Sequence, residues 1–200
     1  MRAFLGLFLG WAIRLHALEL GHTAGLAMHD VSSQEAQVYA AYLDQNFKPS
    51  KKDGPLARGV IILENESQDL WQKNRRAWEA FLAKRVTGPG QASADCLAAF
   101  LNRPQQTLRY FNFPATKHTV RLVRSDELRR HLARSWDDFY EAYAGAQGVI
   151  SFGALGFGSA GGEALFTVRS QCGRNCGYRD LVYMRQVNRQ WLLVLKEPLP

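Results

Sequence analysis

The sequence has no long hydrophobic run. Its most apolar stretch spans only residues 3–13 (AFLGLFLGWAI), whereas a bilayer-spanning helix needs about 20 apolar residues. Three motifs that carry familiar chemistry are missing: an HExxH pair, a GxSxG elbow and a CxxC pair. Their absence removes zinc-peptidase, α/β-hydrolase and thioredoxin-like chemistry in their usual forms. Cysteine is scarce, with three in 200 residues. The two further ligands that a zinc site on Cys172 and Cys176 would need are not close in sequence. The chain also has no internal repeat, no low-complexity tract and no strong internal linker, which argues against a repeat architecture.

What remains is an ordinary globular composition. Hydrophobic residues make up 46% and aromatics 12%, enough to build a core. The length fits one domain, or one domain behind a processed leader. The formal charge is +7, a balance that favours anionic surroundings and partners.

The amino terminus reads as a signal peptide. Arg2 supplies the positive charge, residues 3–13 the apolar segment, and Gly25-Leu26-Ala27 small residues at −3 and −1. The expected division is a signal peptide over 1–27 and a single domain over 28–200. No cysteine lies near that boundary, so lipid anchoring is not supported. Removing 1–27 takes away two arginines and one glutamate, so the basic balance stays with the domain. The expected location is periplasmic or secreted. A membrane-surface helix at 1–27 and a cytoplasmic protein starting at Met28 are the alternatives.

Hydrophobic spacing then places the elements. Ser32 or Ser33 caps a helix to about Phe47, with Val38, Tyr39, Tyr42 and Leu43 on one face. Gly59–Leu63 is a short β-branched strand. Ser67 caps a second helix with Leu70, Trp71, Trp78, Phe81 and Leu82 as its stripe. Ser93 caps a third carrying Cys96 and Phe100. Residues 105–117 look irregular, His118–Val123 alternates as a strand, and a helix over 125–143 begins with Asp126 and Glu127, acids that suit its dipole. From Gly148 the period changes to two, and four strands fit at 148–156, 163–170, 179–187 and 190–196. Short turns, including Asn188-Arg189, make them antiparallel neighbours. Helices and short strands followed by a four-stranded antiparallel β-meander define an α+β fold.

Candidate chemistry is thin. Cys172-Gly-Arg-Asn-Cys176 sits at a hairpin tip. A structural disulfide is the favoured reading, with free thiols or a redox or metal pair as alternatives. Cys96 reads as a buried thiol. Gly156-Phe-Gly-Ser-Ala-Gly161 matches GxGxxG, but the following EALFTVRS reads as a strand. A dinucleotide loop must open a helix, so these are turn glycines and no cofactor is implied. Glu127 and His131 share a helix face but lack a third ligand, so no metal is expected. His118 could act as a base, yet no activated nucleophile accompanies it. Ser151 lies outside any nucleophile elbow, and Asp137 and Asp138 point apart. Arg75 with Trp71 and Trp78 could stack bases, but export argues against nucleic acid.

From Trp136 to Trp191 the chain resembles an uncharacterised family of small exported bacterial proteins. The resemblance rests on Tyr143-Ala-Gly-Ala-Gln-Gly148, Gly156-Phe157, Ala164-Leu165, Cys172-Gly-Arg-Asn-Cys176-Gly177 and Trp191. The family pattern has Pro where Ala144 stands and Gly where Arg189 stands. The resemblance implies export and supports a Cys172–Cys176 disulfide; it implies no activity and no catalytic residue.

The sequence therefore points to a non-catalytic exported domain that binds a ligand, an anionic envelope component or a protein partner. The alternative is a secreted hydrolase with its site near helix 125–143.

Overall fold

The computed structural model describes residues 27–47, 60–64, 66–68, 75–86, 91–104 and 106–199. Residues 1–26 of the expected signal peptide, the loop 48–59, Leu70 and Trp71 lie outside these. Ala27–Asp30 form strand β1, so the expected boundary after Ala27 falls inside a paired strand. Among the described residues no helix is long and apolar enough to cross a membrane.

Helix α1 (Ser33–Asn46) starts where the sequence placed it. Ser32 Oγ accepts from the Glu35 amide at 3.2 Å, and Glu35 Oε2 accepts from the Ser32 amide at 2.8 Å. This reciprocal capping box satisfies two amides that the first turn would otherwise leave unbonded.

Strand β2 (Val60–Glu64) and strand β5 (Thr119–Val123) match their expected positions. The second helix does not. Ser67 lies in β3 (Glu66–Gln68), where it pairs with Leu108 of β4 (Gln106–Arg109), and α2 spans Arg75–Arg85. Strand pairing overrides the local capping preference of Ser67, and it also gives residues 106–109 of the supposedly irregular stretch a strand conformation. Helix α3 (Ala94–Asn102) is capped by Ser93 as expected.

The helix expected over 125–143 is two helices, α4 (Ser125–Arg134) and α5 (Trp136–Ala142). Ser135 breaks it. Its backbone is extended, and its hydroxyl accepts from the Asp138 amide at 2.9 Å. A serine that caps a new helix competes with continuing the old one. The break lets Trp136, Phe139 and Tyr140 cluster, with Trp136 and Phe139 centroids 5.3 Å apart.

The carboxyl-terminal part is the expected antiparallel meander, with adjusted ends: β6 (Ala146–Phe152), β8 (Glu163–Gly173), β9 (Cys176–Val187) and β10 (Gln190–Pro198). A two-residue strand β7 (Gly156–Phe157) folds back on β8. The meander is one part of a larger mixed sheet ordered β10-β9-β8-β6-β2-β5. Strand β2 is parallel to both β5 and β6, a long-range pairing that spacing cannot reveal. A second sheet, β1-β4-β3, stands beside it.

Strand alternation sends side chains to two faces. One face buries Ile61, Leu63, Ile150, Phe152, Phe166, Val168, Val182 and Met184 against α1. Tyr39 anchors this layer, stacked 4.3 Å from Phe152, with its hydroxyl donating to the Gly153 carbonyl at 2.8 Å. The opposite face carries two separate apolar clusters. Leu165, Leu181 and Tyr183 pack with α2 and α3 residues, whereas Ile62 and Val149 pack with α4 and α5 residues.

Candidate anion-binding cleft

A cavity of about 290 Å³ lies on the face that bears these two clusters, with Trp78 of α2 and Arg129 of α4 both in its wall. Its floor comes from the central strands. On this face Ile62, Val149, Leu165 and Leu181 are apolar, yet two residues further along each strand stand Glu64, Ser151, Thr167 and, in the reverse direction on β9, Arg179. Arg169 follows Thr167 on β8. The apolar face turns polar where neither helix cluster covers it.

Three parallel strands, β5, β2 and β6, run toward this end of the sheet. Glu64 ends β2, Ser151 is next to last in β6, and α4 begins two residues after β5 ends. Ser125 at the start of α4 and Arg129 one turn later both line the cavity. The carboxyl ends of parallel strands gather helix amino termini, whose amides and dipole favour negative charge.

The electrostatics point the same way. Arg129, Arg169 and Arg179 line the cavity. Arg169 and Arg179 are direct partners across the β8–β9 ladder. Among the described residues none of the three has an ion pair. Among the described residues Glu64 is the single carboxylate in the lining, and Ser151 Oγ donates to its Oε2 at 2.6 Å. Like charges facing each other across a ladder are destabilising. Guanidinium forks suit bidentate bonding to carboxylate or phosphate oxygens.

A second hydrogen-bonded cluster holds α3 to the sheet. The Glu163 carboxylate accepts from the Ser93 amide at 3.2 Å, from the Ser93 hydroxyl, from Tyr183 at 2.5 Å and from Arg185 at 3.4 Å. Burial pushes the Glu163 carboxyl up, but the bonds from Ser93 and Tyr183 and the Arg185 charge outweigh it and hold it below its usual range. Burial, and then the bond to Glu163, push the Tyr183 phenol up to about 12.

Of the candidates weighed in the sequence, Ser151 lines the cleft, whereas His118, Glu127, His131, Asp137 and Asp138 are not among its lining residues. His118 is buried, with Nε2 bonded to the Phe47 carbonyl at 3.1 Å. Glu127 accepts from Tyr143 at 2.6 Å, and the His131 ring stands edge-on to Tyr143 at 5.5 Å. Asp138 Oδ1 accepts from the Ser135 hydroxyl at 2.9 Å, and Asp137 is exposed. Among the described residues no group of three His, Cys, Asp or Glu side chains could hold a metal. Trp71 and the side chain of Arg75 lie outside the described residues; Trp78 faces the cleft instead.

The glycine loop is a hairpin turn, as expected. The Gly158 amide donates to the Glu163 carbonyl at 3.0 Å, and the next residues enter β8. Gly156 is required for packing: a Cβ there would stand 2.4 Å from the Phe100 backbone of α3. Cys96 is fully buried, and burial, followed by the Glu163 and Asp95 charges, pushes its thiol up to about 12. Cys172 and Cys176 stand at disulfide distance at the β8–β9 tip, with Cα atoms 5.0 Å apart.

Spacing missed the cleft because its residues are scattered over β2, α4, β6, β8 and β9. One trace was present. Leu165, Thr167 and Arg169 share a strand face, and a stripe that turns polar in the middle of a sheet needs an explanation other than the core.

The chain matches no protein-family model, no curated protein and no solved structure.

Proposed function

We propose that the protein binds an anionic ligand in this cleft, through Arg129, Arg169 and Arg179, with Thr167 supplying a hydroxyl donor. The observation that carries this reading is the ladder pairing of Arg169 with Arg179, with no ion pair at either among the described residues. Two adjacent guanidinium groups on a sheet favour an oxyanion between them, because the anion removes their mutual repulsion and accepts bonds from both forks. Titration calorimetry with inorganic phosphate and with glucuronate tests it. Binding that weakens with salt and is lost in an Arg169→Ala/Arg179→Ala variant is expected. Equal binding by wild type and variant, or no binding of either anion, overturns the reading.

The domain over 28–200 is exported on this reading. The Cys172–Cys176 pair, the apolar segment 3–13 and the family resemblance support a periplasmic or secreted setting, where the pair would be oxidised. Amino-terminal sequencing of protein from the producing cell tests this; an intact residue 1 would overturn it.

One observation favours a second reading, a hydrolase. Glu64 and Ser151 place a carboxylate and a hydroxyl beside the arginines, where Glu64 could take a proton from water attacking an ester of the bound anion. Turnover of p-nitrophenyl phosphate that vanishes in Glu64→Gln is the expected sign. No turnover by the wild type, or unchanged turnover by the variant, rejects it for this ester.

A further inference from the structure

The cleft does not end at Arg169 and Arg179. These two arginines and Leu199 also line a second, more open groove of about 490 Å³. That groove follows the β8–β9 hairpin past Gln171, Tyr178 and Asn175 to Arg174 and Cys176 at its tip. From Arg169 to the tip residue Gly173 is four residues along β8, about 13 Å at the usual strand rise. Arginines therefore stand at three stations: Arg129 at the α4 end, the Arg169–Arg179 pair in the middle, and Arg174 at the tip. No ion pair is recorded for Arg174 among the described residues either.

We infer, building on the anion-binding role of the cleft, that the ligand is an acidic oligosaccharide lying along this continuous groove. Three features select that chemistry. The spacing of the arginine stations exceeds what one monosaccharide spans, so acidic groups must recur along the ligand. Glu64 on the floor would repel a plain polyanion such as polyphosphate, which has no proton to donate; a sugar hydroxyl can donate to it. Side chains with both donor and acceptor capacity, Thr167, Gln171 and Asn175, line the rest, and they match hydroxyl groups better than phosphates. Trp78 in the cleft adds aromatic surface of the kind on which a sugar ring can rest.

The test uses the oxidised full chain and titrates oligogalacturonates of one, two and four residues, inorganic phosphate, and polyphosphate matched in charge to the tetramer. The expected result is affinity at least about tenfold higher for the tetramer than for the monomer, because the second contact becomes intramolecular. Arg174→Ala is expected to remove that gain while leaving monomer and phosphate binding unchanged. Arg174 is exposed in a turn, so folding is not at stake. Absence of a length gain, a length gain that survives Arg174→Ala, or polyphosphate binding as tightly as the tetramer overturns the inference. If phosphate and the monomer bind in these cases, the cleft reading stands without it; if neither binds, the cleft reading falls as well.

Discussion

Arg169 on β8 and Arg179 on β9 face each other directly across an antiparallel ladder, and among the described residues no carboxylate pairs with either. In a part of the molecule devoted only to stability, that arrangement is unfavourable. Binding and stability should therefore respond to it with opposite signs. Arg179→Ala is expected to weaken phosphate binding by about tenfold or more, in line with about 1.5–3 kcal/mol for a charge-assisted bond. Its melting temperature should be unchanged or higher. Calorimetric titration and thermal unfolding of the same preparation check both halves, and a variant that loses stability along with binding would argue for a structural role.

The Glu163 cluster predicts a pH profile. A carboxyl lowered by folding contributes stability that is fully present above its ordinary value of about 4 and is lost as pH falls through the lower folded value. Tyr183 acts at the other end. Its phenol is raised to about 12, so its contribution is complete below its ordinary value of about 10 and is lost as pH rises through the folded value. Melting temperature should therefore fall at both extremes. Glu163→Gln should soften the acid limb, and Tyr183→Phe the alkaline one. Limbs that do not move in these variants would mean that the cluster is not linked to folding.

The β9–β10 turn carries strain that one substitution should relieve. Asn188 and Arg189 both have positive φ, 50° and 65°, the geometry of a type I′ turn, in which glycine is favoured at the second position. Arg189 is exposed. Arg189→Gly should raise stability by about 1 kcal/mol, the usual penalty of a left-handed residue bearing a Cβ. A denaturant midpoint equal to that of the wild type would refute it.

Cys172 and Cys176 bracket a very short loop, so a bond between them would restrict the unfolded chain only modestly. Reduction is expected to cost about 2 kcal/mol. Denaturant unfolding with and without reductant measures this. Because Cys176 lines the groove, tetragalacturonate binding should weaken on reduction while phosphate binding in the cleft persists.

Much of the fold was legible because it is local. The Ser32 and Ser93 caps, the Asn188-Arg189 turn, the Gly158–Gly162 turn and the alternation of Ala164, Phe166 and Val168 each depend on residues a few positions apart. Capping and strand pleat act over that range. Where the sequence reading failed, a distant partner or a competing local bond had decided the matter. Ser67 became part of a strand because β4 was available to pair, and Ser135 ended a helix by starting another.

The site belongs to the second kind. The sequence alone determined the period-two strands of the meander, a basic chain, a hairpin with a cysteine at either side of its tip and glycines that turn from one strand into the next. It could not bring Glu64, Ser125, Ser151, Arg169 and Arg179 together, because those positions meet only when β2 inserts between β5 and β6 in parallel. That insertion is a long-range pairing, stabilised by Ile61, Ile62 and Leu63 buried on both faces of the sheet. Local preference decided which residues are strands and helices. Tertiary packing decided which polar ends the helices left uncovered, and so where the charge gathers.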